Sequence, residues 1–147
     1  MLSIIIQPQF GDTDCFGHVN NSAIALWFET ARNPLFRIFV PDLNFKLETF
    51  PLIIAHTDYV FVEQLVIQHE VEIRSWVSHI GSKSFTVYHQ AWQKGQLRAN
   101  GSAVAVHYDV NTKQSIPLPA DKKKQLQEYL LNKQKSPRMG KKRGKED

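Results

Sequence analysis

Residues 10–21, FGDTDCFGHVNN, crowd two carboxylates, a thiol, an imidazole and two carboxamides into one short stretch directly before a long apolar run. A carboxylate in such a place can act as a general base or as a nucleophile. If the apolar run is a helix, its first N–H groups lack intrahelical partners. Together with the positive end of the helix dipole they can hold a developing negative charge. The same residue types also build turns and cap helices. Spacing alone therefore leaves Asp14 open between an Asx-turn or cap and a catalytic carboxylate. Asp12 reads as the turn-former of the pair, and Asn20 and Asn21 read as caps. His18 is either a donor toward a ligand or a histidine bonded to backbone. Cys15 has no cationic neighbour in sequence to favour its thiolate, which argues against a cysteine nucleophile.

The elements that must position this stretch are written in the periodicity. Ile24, Phe28, Ala31, Leu35 and Phe39 fall at helical spacing, with Ser22, Glu29, Asn33 and Arg37 on the other side. Ala25, Leu26 and Trp27 extend the apolar surface nearly all round, so the helix must be enclosed, and Pro34 must kink it or divide it in two. Leu2–Phe10 is β-rich, but Pro8 lacks an N–H and marks an edge strand or a bend. From Pro51 onward the period changes to two. Strands are predicted over residues 52–62, 66–77 and 84–92, the last leading to a hairpin turn at Lys94–Gly95. The following strand puts Ala99, Gly101, Ala103 and Ala105 on one face, small enough for a helix to approach closely. A short amphipathic helix over 121–133 uses Leu126, Tyr129 and Leu130, with Asp121 as a cap. Strands in series without crossovers predict an antiparallel sheet, and one sheet covers an apolar helix only by curling around it.

The 147 residues and one cysteine suit a single cytoplasmic domain without disulfides. The N-terminal apolar run is too short for a signal peptide, and no stretch is long and apolar enough to span a membrane. The net charge of +4 is uneven. From Asp121 onward ten Lys/Arg face four Asp/Glu, whereas residues 1–120 hold eight basic and ten acidic groups. Residues 135–147 are therefore predicted to form a basic, disordered tail after a domain of residues 1–134. The acidic body argues against nucleic acid as a partner. His56, His69, His79, His89 and His107 are scattered without cysteine support, so no metal and no other cofactor is expected.

GDTDCFGHVNN, the helical FETAR, the strand EVEIRSW and IGSKSF together make the chain similar to the 4-hydroxybenzoyl-CoA thioesterase-type hotdog proteins, from about Ile4 to Ala120. The resemblance implies an α+β hotdog fold, a five- to six-stranded antiparallel sheet curled around one long central helix. It implies a homodimer or homotetramer with sheets continuous between subunits and acyl-CoA lying between them. It also implies hydrolysis of an acyl-CoA thioester to free acid and CoA, with Asp14 as general base or nucleophile. The backbone N–H of Asn21 would serve as oxyanion donor, with Gly17 and His18 shaping the turn beside the substrate. Lys83, flanked by Ser82 and Ser84, would meet a CoA phosphate, against the plainer reading of a solvated loop lysine. Glu29 and Arg32 match the family's helix pattern at a spacing that suits an ion pair. The HVNN segment also resembles plant acyl-carrier-protein thioesterases through Asp14 and His18, but Phe16 stands where that family has asparagine. An acyl-acyl-carrier-protein thioesterase, with acyl carrier protein as partner, and a non-catalytic acyl-CoA binding module are the alternatives.

Overall fold

The computed structural model describes residues 1–42 and 50–131. The expected disordered tail, and the end of the predicted last helix, lie outside them. The chain runs as β1 (Leu2–Ile6), a 3₁₀ turn (Phe10–Asp12), α1 (Asn21–Ala31), α2 (Asn33–Phe39), β2 (Leu52–Phe61), β3 (Val71–Ile80), β4 (Ser84–Gln93), β5 (Gln96–Asp109), β6 (Gln114–Ser115) and α3 (Ala120–Gln127). All strands pair antiparallel in the order β1-β3-β4-β5-β2, with the two-residue β6 against β5. The β-rich start is an edge strand that stops before Pro8, as its missing donor requires.

The long helix divides. Arg32 ends α1 and begins α2, and Pro34 occupies the first turn of α2. A proline there cannot donate to the carbonyl one turn back, whereas the first turn of a new helix has no use for that donor. The single central helix expected from the resemblance is thus replaced by two consecutive segments. Their apolar faces belong to two core clusters. Ala23, Ile24, Trp27 and Phe28 of α1 pack with Ile73, Ala91 and Ala99. Leu35 and Phe36 of α2 pack with Leu52, Val77, Phe85, Ala105 and, from α3, Leu126.

The hairpin turn forms as predicted, with Lys94 and Gly95 at φ 52° and 71°, the pair of positive values a two-residue type I′ turn needs. Ala99, Ala103 and Ala105 are buried on the helix-facing side. Gly101 is small for another reason, since a Cβ there would lie 2.2 Å from the Asp58 carbonyl oxygen of β2. Two expectations need correction. The strand read as 66–77 begins only at Val71, because residues 66–69 are held by a side chain of β4 rather than by a ladder. Asp121 does not cap α3; Pro119 is the N-cap, and Asp121 sits in the first turn 3.7 Å from Lys122.

Candidate active site

The stretch between β1 and α1 folds as a small self-bonded hairpin. The backbone N–H of Gln9 donates to Asp12 Oδ2 (2.7 Å), and the Asp12 carbonyl accepts from Asn20 N–H (2.7 Å). Asp12 is therefore the turn-former. Asp14 Oδ1 accepts from the N–H groups of Phe16 (2.9 Å) and His18 (3.1 Å). The Asp14 N–H donates to the His18 carbonyl at 2.8 Å. Gly17 closes the turn at φ +77°, a region that L-residues seldom enter. Asp14 Oδ2 has no hydrogen-bond partner among the described residues. The turn-building role and an uncommitted carboxylate oxygen thus coexist in one side chain.

Asn20 is the N-cap of α1, its Oδ1 accepting from Ser22 N–H at 3.1 Å. Asn21 is the first helical residue, and its N–H has no partner among the described residues, as expected of an initial donor in a helix. Asp14, Asn20 and Asn21 line one pocket of about 430 Å³, whose opposite wall is the segment Phe61–Leu65. Glu63 and Gln64 of that wall carry no motif in the sequence.

The wall is held by side chains at the far end of the hairpin. Buried Gln93 accepts from Val66 N–H (3.0 Å) through Oε1, and its Nε2 donates to the carbonyls of Val66 (2.8 Å) and His69 (2.9 Å). Arg98 Nη1 donates to the Gln64 carbonyl at 2.8 Å, and the Arg98 carbonyl accepts from Val62 and Glu63 N–H. The wall in turn accepts Val19 N–H at the Leu65 carbonyl (2.9 Å), which docks the Asp14 hairpin. A polar residue at a strand end is the only sign of Gln93 in the sequence, and it reads there as surface.

A second pocket, of about 690 Å³, lies along the neighbouring side of α1 against β2. Arg32 lines it and does not pair with Glu29; no salt bridge joins them, and only longer-range attraction acts between them. Arg32 is 4% exposed, and its Nη1 lies 3.4 Å from His89 Nε2. Because a guanidinium only donates, Nε2 must accept, so the proton sits on Nδ1, which donates to Ser75 Oγ at 2.7 Å. Burial, and secondly the Arg32 charge, push the His89 pKa down to about 3. Burial lowers the Arg32 pKa as well, partly opposed by Tyr59 and Glu29.

Of the remaining residues singled out by sequence, His18 and Cys15 share the Asp14 hairpin, whereas Lys83 and Ser84 stand apart from it. His18 is half-buried and bridges to Val66, lining neither pocket. Lys83 is exposed, and Ser84 opens β4 beside Phe85 at the α2 end of the sheet. Asp14 lies at the α1 end, so one chain does not bring these residues together. Cys15 is an exposed free thiol. Among the described residues no three His, Cys, Asp or Glu side chains gather as metal ligands. No described helix is long and apolar enough to cross a membrane.

Residues 8–126 match the thioesterase-like superfamily. The chain belongs to that superfamily. No curated protein matches it. Among solved structures, this superfamily member is similar to a predicted thioesterase from Bacillus stearothermophilus, with 31% identity and a TM-score of 0.85, over 88% of this chain and 96% of the other. It is also similar to a Thermus thermophilus thioesterase complexed with coenzyme A and Zn, with 24% identity and a TM-score of 0.74, over 84% and 95% of the two chains. The curled antiparallel sheet with its helix is consistent with the hotdog thioesterase fold. Family and neighbours support thioester hydrolysis as the general chemistry.

Proposed function

We propose that this superfamily member is an acyl-CoA thioesterase of the 4-hydroxybenzoyl-CoA type, with Asp14 as the catalytic carboxylate. The observation that carries the reading is the shared pocket of Asp14, with one uncommitted oxygen, and the unpartnered Asn21 N–H at the start of α1. In this scheme Asp14 takes a proton from water, and the hydroxide adds to the thioester carbonyl carbon. The carbonyl oxygen becomes an anion held by the Asn21 N–H and the helix dipole. The C–S bond then breaks, the Asp14 carboxyl returns its proton to the thiolate, and free acid and CoA leave. Direct attack by Asp14, followed by hydrolysis of the anhydride, uses the same two groups. One oxyanion donor of this kind contributes about 3–4 kcal/mol to lowering the barrier.

Coenzyme A as the carrier is supported by the Thermus protein's complex. An obligate dimer is supported by β2, a ten-residue edge strand with Ile53, Ile54 and Phe61 exposed. An edge of that length and composition invites another strand. Continuation of the sheet through β2 is the arrangement in which Lys83 or Ser84 of one subunit could serve the Asp14 pocket of the other. Thiol release from a panel of acyl-CoAs and acyl-carrier-protein esters, run beside light scattering, tests the reading. Turnover of at least one acyl-CoA by a dimer or larger assembly is expected. Tight acyl-CoA binding without thiol release would leave a binding module instead, and an active micromolar monomer would remove the dimer.

A further inference from the structure

We propose that the larger pocket along α1 is the acyl pocket, and that Arg32 makes it select an acyl chain ending in a carboxylate. This rests on the thioesterase reading above. The pocket is walled by apolar side chains, Leu26, Phe36, Leu52, Ile54 and Tyr59 among them, yet the Arg32 guanidinium and, one turn back, the Glu29 carboxylate form part of its lining. Arg32 is 96% removed from solvent, taking its 4% exposure. Its Nη1 is committed to neutral His89, its Nε is buried without a partner, and no carboxylate lies within ion-pair distance among the described residues. An unpaired buried charge is strongly unfavourable, and an arginine stays protonated in such a place. A ligand that carries its own anion removes that cost. With Nη1 occupied and Nε closed off, Nη2 is the donor left to a ligand, and a carboxylate oxygen gives it a charge-assisted hydrogen bond.

The helix sets the length of that ligand. Arg32 follows Asn21 by eleven residues, which is about 16 Å along the axis at 1.5 Å per residue. Side chains on a helix lean toward its N-terminus, and an extended arginine spans roughly 6 Å at about 1.2 Å per chain bond. A gap of about 10 Å then separates the thioester carbonyl at Asn21 from the guanidinium, or roughly eight bonds at the same spacing. The substrate class is a medium-chain ω-carboxyacyl thioester, and suberoyl-CoA is the probe of choice beside its matched monoacid, octanoyl-CoA.

The test compares kcat/KM for these two thioesters in the wild type, Arg32→Met and Arg32→Lys, and measures calorimetric binding of free suberate against octanoate. The wild type should prefer suberoyl-CoA by at least tenfold and bind suberate more tightly than octanoate. Arg32→Met should reverse the order, and Arg32→Lys should keep a reduced preference. Equal or better handling of the monoacid by wild-type protein overturns the proposal, as does failure of suberate to bind because a second subunit already fills the pocket. Because the wild-type comparison suffices, misfolding of Arg32→Met does not shelter the idea. Suberate binding without hydrolysis of any thioester would sink the enzymatic reading while sustaining the pocket's selectivity.

Discussion

Replacing His89 should remove a large part of the protein's acid sensitivity. The ring is fully buried, stacked on Phe28 with centroids 4.8 Å apart, and bonded at both nitrogens. Protonation would turn Nε2 from acceptor to donor, abolish the contact with Arg32, and set two cations 3.4 Å apart. Its pKa is accordingly held at about 3, against 6.5 for a free histidine. The native state therefore keeps His89 neutral through a range in which the unfolded chain takes up a proton. Stability from this group is complete above pH 6.5 and falls as pH drops toward 3. Each pH unit in that window costs about 1.4 kcal/mol. Between pH 7.5 and 4.5 the loss comes to roughly 3 kcal/mol, a large share of a small domain's stability. Urea unfolding at pH 7.5 and 4.5 for wild type and His89→Gln measures it directly. The variant can be less stable at both pH values, but its loss on acidification should be smaller by about 3 kcal/mol. Equal losses in the two proteins, or an NMR titration of His89 near 6.5, would refute the reasoning.

Asp14→Asn should lower kcat on a working acyl-CoA by on the order of a hundredfold or more with the fold retained, while Asp12→Asn, whose carboxylate only holds Gln9, should cost far less; similar losses at both positions would undo the assignment. Gly101→Ala should destabilise the chain by at least about 1–3 kcal/mol, the usual penalty of overpacking, because its Cβ meets the main chain of β2 rather than a yielding side chain; an unchanged urea midpoint would contradict that contact. Truncation after residue 134 should leave kcat on a short acyl-CoA within about twofold, and any rise in KM for an anionic carrier should vanish at high salt, since such attraction is screened. A salt-independent fall in kcat would show that the tail takes part in the site.

Period and punctuation carried most of the architecture. Alternation located β2, β4 and β5, Lys94–Gly95 marked a turn that only positive φ values can make, and Pro34 signalled the division of the helix. The Asp14 hairpin was legible because its residues are local and each has a narrow set of uses. What escaped notice depends on distant partners. Arg32 and Glu29 sit at ion-pair spacing, but spacing does not say that Arg32 turns inward to His89, fifty-seven residues away. Val66–Glu70 continues the alternation of β3, yet Gln93 captures that backbone and delays the strand to Val71. Glu63 and Gln64, which line the pocket, are held in the same way by Arg98. A site wall built by long-range clamping leaves no local pattern to read.

The clamp has a bearing on how such a protein can diversify. Gln93 and Arg98 grip residues 62–69 through main-chain N–H and carbonyl groups, and Leu65 anchors the segment in the α1 core, so exposed side chains such as Gln64 and Gln68 are not what holds it in place. The segment behaves as an exchangeable cassette. Its exposed residues can be rewritten, by drift or by a library in the laboratory, to reshape the mouth beside Asp14 without loosening the scaffold, provided Leu65 keeps its place in the core. Changes at Gln93 or Arg98, though neither side chain touches the pocket, would erase the template on which every such variant depends.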